Sequence, residues 1–165
     1  LKKKMGIIVT AASLVFMFTI PMSASAATAK TLSWNLVDSG KHMDWEGSTK
    51  YQTQFNAGVK TWNGYKSGVI RKDSAKVIQD VAISDYSEKS SVAGVTSSEG
   101  SIKFNKYVMD TLSATKKHNV ATHELGHALG LAHNTSSDVM YKYVSTKTSL
   151  SANDKASYTA AYKKY

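Results

Sequence analysis

The stretch "ATHELGHALGLAHNTSSDVMY", residues 121–141, holds three of the chain's five histidines: His123, His127 and His133. From about Ala114 to Leu129 the pattern is helical, and Gly130 stands where a helix C-terminal glycine is expected. On that helix His123 and His127 leave from one face about one turn apart, close enough to grip a single metal ion. Glu124 turns along the helix toward the space beside the metal, where a carboxylate can take a proton from activated water without being a ligand itself. Gly130 can adopt positive φ, end the helix and swing the chain so that His133 returns as a third ligand. Three imidazoles leave one tetrahedral position open, the mark of a catalytic rather than structural site, and neutral nitrogen ligands favour zinc. A bare His-Glu-x-x-His is only a moderate signal. The extended form fixes five positions, and its chance occurrence is on the order of one in millions per starting point. His42 and His118 have no partner at ligand spacing and read as surface or structural histidines.

Upstream, Lys2, Lys3 and Lys4 lead into an uncharged apolar run from Met5 to Ile20, followed by Pro21 and "MSASAA", with Ala24 and Ala26 matching a small-residue cleavage site. Residues 1–27 therefore read as a cleaved signal peptide, and 28–165 as one exported catalytic domain with no membrane anchor left after cleavage. The run is short of the roughly 20 residues a spanning helix needs. No cysteine is present, so disulfides and cysteine-ligated zinc are excluded, and stability has to come from the core, a bound metal or both. The formal charge is +9, yet the lysines are scattered singly or in pairs without an aromatic-basic recognition motif, which argues against nucleic acid. Such a charge favours loose, salt-sensitive association of the secreted protein with an anionic cell envelope.

Between these segments, "TLSWNLV" (residues 31–37) alternates like a strand, and a loop through Trp45 and Gly47 follows. Tyr51, Phe55, Val59 and Trp62 recur at helical spacing, with Ser48 or Thr49 as N-cap and Gly64 just beyond the end. "GVIRK" (68–72) and "KVIQDVAIS" (76–84) read as strands, the latter suited to a buried central position. Residues 85–91 are polar and loop-like. "VAGVT" (92–96) and "SIKFNKYV" (101–108) are strands joined by a turn at Glu99 and Gly100. A last helix follows Ser151 as N-cap, with lysines at its C-terminal end. With no repeat or linker to divide it, the chain is one α+β domain and a monomer by default.

His123-Glu124-x-x-His127-x-x-Gly130-x-x-His133 resembles the zinc motif of the metzincin metallopeptidases. Met140, seven residues after His133, resembles the structural Met-turn beneath the metal in that clan. "HELGHALGLAH", "VMY" and "LSANDKASYTAAY" look most like the matrixin branch. The resemblance implies a zincin-like catalytic domain with a twisted, mixed sheet of about five strands, three helices, and "VAGVT" as an antiparallel edge strand beside the cleft. It further implies that a peptide or protein substrate pairs with that edge, with Val92, Ala93, Gly94 and Tyr141 as contacts. The implied activity is zinc-dependent endopeptidase hydrolysis, with Glu124 as general base and acid and His123, His127 and His133 as metal ligands.

Departures from the family pattern are specific. Lys142 replaces the proline that usually follows Met-Tyr in matrixins, and it also occupies the place of the tyrosine near the zinc in astacin-like relatives. Asn134 fits none of the familiar subgroup residues. The histidine-aspartate cluster of a second, structural zinc has no counterpart, and the acidic residues form no recognisable calcium loop. Two other readings stay open at this level: a thermolysin-like zincin whose third ligand is a distant glutamate, and a catalytically retired fold that docks peptides or the envelope.

Overall fold

The computed structural model describes residues 26–74 and 79–165. Residues 1–25 of the signal-peptide reading, which spans 1–27, lie outside the described residues, as do positions 76–78 of the "KVIQDVAIS" reading. No helix among the described residues is long and apolar enough to cross a membrane.

Among the described residues, five strands and four helices form a mixed α/β fold: β1 (Met43–Gly47), α1 (Gln52–Tyr65), β2 (Ile70–Lys72), β3 (Val81–Tyr86), β4 (Gly94–Ser97), β5 (Ser101–Asn105), α2 (Lys106–Met109), α3 (Ala114–Ala128) and α4 (Ala152–Tyr162). The sheet order is β2-β1-β3-β5-β4. Among the described strands only β4 runs antiparallel, pairing with β5 from Gly94↔Phe104 to Ser97↔Ser101; it is the expected antiparallel edge strand, but it starts at Gly94 rather than Val92 and ends at Ser97. Helices α1 and α3 pack together over the sheet, and the Trp62 indole N–H donates to the Thr122 carbonyl at 2.9 Å. Trp62, Phe55, Phe104, Met43 and Ile102 are fully buried there.

Several expectations are corrected. "TLSWNLV" is not a strand: it makes only an isolated bridge, Thr31 with Leu131. Its backbone donors go instead to the end of α3, Leu32 N–H to the Gly130 carbonyl and Leu36 N–H to the Ala128 carbonyl, each at 2.8 Å. Helix C-termini leave carbonyls without intrahelical partners, and this segment satisfies them better than a ladder would. The strand lies instead at Met43–Gly47, in the expected loop, where Met43, Asp44 and Trp45 are buried between β2 and β3. Helix α1 starts after Tyr51 with no side-chain cap; Thr49 only accepts from the Tyr51 N–H at 3.2 Å, and Gly64 lies inside the helix rather than beyond it. Among the described residues the helices number four rather than three, because "SIKFNKYV" stops being a strand at Asn105, whose side chain accepts from the Tyr107 N–H and caps α2. Strand β3 extends through Asp85 and Tyr86, into the expected polar loop.

Candidate metal centre

Helix α3 begins at Ser113, whose hydroxyl accepts from the Lys116 N–H at 3.3 Å, and ends at Gly130, which has φ +86°. The Gly130 N–H bonds to the His127 carbonyl at 2.8 Å and the Leu131 N–H to the Gly126 carbonyl at 2.9 Å, a Schellman closure that needs the left-handed glycine. The chain thereby turns back along the helix. His133 returns to the pair on α3, and the ring centroids lie 4.6 Å (His123–His127), 4.8 Å (His127–His133) and 5.2 Å (His123–His133) apart.

Each of the three rings offers a nitrogen, and all of these lie within 4.8 Å of one another; His127 Nε2 and His133 Nε2 are 3.2 Å apart. His123 Nδ1 is 2.9 Å from the Val139 carbonyl and His127 Nδ1 is 2.8 Å from the Leu131 carbonyl. A carbonyl only accepts, so Nδ1 carries the proton on both rings and Nε2 is left as a bare lone pair. Burial lowers both imidazoles to about 4, so they are neutral at pH 7, the form that ligates metal. His133 is more exposed; burial and then the Lys142 charge lower it too.

Glu124 is 5% exposed. Burial pushes its carboxyl upward, opposed by His127 and by the Thr96 hydroxyl, which donates to Oε2 at 2.7 Å. The three histidines and Glu124 open into a cavity of about 430 Å³, walled on one side by residues 91–96 and on the other by Tyr141, Lys142, Tyr143 and Val144.

Met140 is fully buried, with its sulfur lying against Gly126 of α3. Its turn is held from α4: Asp154, which closes a capping box with Ser151, also accepts from the Val139 N–H at 2.9 Å and the Met140 N–H at 3.2 Å. Asn134 ties the same loop shut, its N–H on the Met140 carbonyl at 2.8 Å and its side chain on the Thr28 carbonyl at 2.8 Å.

Val92, Ala93, Gly94 and Tyr141 all line the cavity, but not equivalently. The Ala93 carbonyl accepts from the Asn105 N–H and the Val92 carbonyl from the Asn105 side chain, so both are spent inside the sheet. Alternation along an antiparallel strand then turns the Gly94 N–H and carbonyl outward, toward the cleft. His42 binds the Gly68 carbonyl through Nδ1, and His118 faces Thr61 across α1 and α3, so neither joins the cluster.

Three contributors escaped sequence reading. Asp154 left a partial signal, the Ser-x-x-Asp capping pattern; Thr96 and the Val139 carbonyl left none. A second acidic group, Asp38, Asp44 and Asp80, also converges. There the chain supplies its own cation: Arg71 donates to both Asp44 oxygens at 2.8 and 2.7 Å and lies 3.6 Å from Asp38.

No curated protein matches the chain. Among solved structures, a chain of the "GM1 bound form of the ECX AB5 holotoxin" is similar with a TM-score of 0.48 and 12% identity, over 81% of this chain and 77% of that one, a likeness too distant to argue from. The Matrixin peptidase family model matches residues 84–163, from β3 through α4, the span that carries the edge strand, all three histidines, Glu124 and Met140. That match supports a matrixin-like, metallopeptidase-type domain over the second half of the chain.

Proposed function

We propose that the protein is a zinc-dependent endopeptidase, exported by way of residues 1–27, with His123, His127 and His133 as the metal ligands and Glu124 as general base and acid. The observation that carries the reading is the convergence of three imidazoles, two of them with Nδ1 locked by backbone carbonyls, beside a buried carboxylate in an open cleft. The donor set fits zinc: tetrahedral coordination at about 2.0–2.1 Å separates neighbouring nitrogens by about 3.3 Å, and His127 Nε2 and His133 Nε2 stand 3.2 Å apart. When bound, zinc supplies Lewis-acid polarisation of the scissile carbonyl and lowers the pKa of water to about 7.

The chain's own groups do the rest. A substrate strand pairs with the outward backbone of Gly94 on β4, which holds the scissile bond across the cleft from the histidines. Glu124 takes the proton of the attacking water and delivers it to the departing amine, so one carboxylate serves both halves of the hydrolysis. Val92, Val95, Tyr143 and Val144, all exposed around the cleft, offer apolar surface to substrate side chains.

The test is cleavage of unfolded casein by the purified chain with zinc, with a chelator, and with Glu124→Ala. We expect cleavage that the chelator abolishes, and a variant that keeps its zinc but loses at least about a hundred- to ten-thousandfold in rate. A variant that retained most of its activity would refute the role of Glu124. Full zinc occupancy without cleavage of any peptide in a library would replace the enzyme reading with that of a docking module.

A further inference from the structure

We propose that edge strand β4 also builds the seat of the general base: Thr96 is a positioning residue that fixes the Glu124 carboxylate, and Gly94 is the space that carboxylate occupies. The inference rests on the zinc-peptidase reading of the site.

Gly94 and Thr96 are two apart on β4 and so share one face, the face turned toward α3. Thr96 Oγ1 lies 2.7 Å from Glu124 Oε2 and 3.0 Å from the Glu124 backbone carbonyl. One hydroxyl has one proton, and the shorter contact to the carboxylate is the stronger acceptor. Among the described residues this is the only hydrogen bond that the Glu124 side chain accepts. The other oxygen, Oε1, lies against Gly94: a Cβ there would stand 2.9 Å from Oε1, 2.9 Å from Cγ and 3.1 Å from Cδ. The carboxylate is thus laid along the strand, with Oε2 held by Thr96 and Oε1 over the bare Cα of Gly94. Oε1 is left as the atom that takes and returns the proton. With that bond removed only packing against Gly94 is left to hold the carboxylate in place, and misplacing a catalytic group by about 1 Å costs on the order of a hundredfold.

The same strand therefore does two things at once. Its outward backbone receives the substrate, and its α3-facing side sets the base, so the scissile carbonyl and the carboxylate are placed by one rigid element.

Three variants test this. Thr96→Val keeps the branched shape and strand preference but removes the donor; Thr96→Ser restores the donor; Gly94→Ala adds the Cβ. We expect Thr96→Val to lower kcat about ten- to a hundredfold with KM, zinc content and melting temperature nearly unchanged, and Thr96→Ser to recover most of the loss. Gly94→Ala should lower kcat similarly. Crystal structures of the metal-free variants give a readout independent of activity: the Glu124 carboxylate leaves its place in Thr96→Val and Gly94→Ala and returns in Thr96→Ser. An unmoved carboxylate in Thr96→Val, or a Thr96→Ser variant as impaired as Thr96→Val, overturns the proposal. If the unaltered chain cleaves nothing, the peptidase reading fails, while the carboxylate positions still decide whether β4 seats Glu124.

Discussion

Gly126 sits on α3 between Glu124 and His127, and its lack of a side chain sets how closely Met140 can approach the helix. A Cβ at this position would run into Met140 Sδ and come within 3.1 Å of the Trp62 ring. Two effects oppose each other in Gly126→Ala. Alanine gains about 1 kcal/mol of helix propensity over glycine, whereas overpacking a filled core costs about 1–3 kcal/mol. Met140 and Trp62 are both fully buried, so neither has room to yield, and the clash should win. We expect Gly126→Ala to be destabilised by up to about 2 kcal/mol in urea denaturation. A stabilised variant would mean that Met140 repacks at little cost and that the core around it is softer than its burial implies.

At the scale of elements, α4 organises the site through Asp154. That carboxylate accepts from the N–H groups of Ser151, Val139 and Met140, and the Val139 carbonyl in turn holds His123 Nδ1. Asparagine keeps the shape but loses the charge and one acceptor, and hydrogen bonds to charged groups are worth about 1.5–3 kcal/mol each. Asp154→Asn should therefore lose about 3 kcal/mol of stability, and its zinc affinity should fall about tenfold because the orientation of His123 depends on this chain of bonds. Urea denaturation and competition against a zinc dye measure the two effects separately. Lost stability with unchanged affinity would show that Val139 holds His123 without help from α4. This element also shows what can be read from sequence. The cap at Ser151 and the placing of His123 and His127 on one face of α3 follow from local backbone rules, so both were legible. The reach of Asp154 to Met140 is a tertiary contact with no local pattern, and so is the hydroxyl of Thr96 on Glu124. "TLSWNLV" misled for a related reason: alternation reports a half-buried extended segment, and such a segment can serve helix carbonyls as well as a neighbouring strand. "MDWEG" was missed because its acidic residues look like loop, whereas Asp44 is buried against Arg71 in the sheet.

For the whole molecule the question is whether the proposed zinc would complete only the site or also the fold. With no cysteine, either the core carries the stability or the metal shares it. The core is continuous from Met43 and Trp45 on β1 through Phe55 and Trp62 on α1 to Leu125, Leu129 and Tyr158 on the later helices. The loop that brings His133 back is tied independently of any ion, by the Schellman closure at Gly130, by Asn134 on Met140, by Asp154 on Val139, and by Asp138, which accepts from the Thr135 N–H at 2.8 Å and the Thr135 hydroxyl at 2.7 Å. A site so preformed has little ordering left for the metal to drive, unlike a zinc finger, whose fold appears only with its ion. Chelation should therefore leave a folded chain that unfolds cooperatively at a lower temperature. Free zinc at a hundred times its dissociation constant contributes about 2.7 kcal/mol, and for a domain of this size that lowers the melting temperature by about 5–10 °C when it is removed. Calorimetry with and without chelator measures the difference. Loss of the cooperative transition in chelator would place His123, His127 and His133 among the groups that hold the fold together, and the carbonyl and carboxylate ties around them would then be too weak to keep His133 in place unaided.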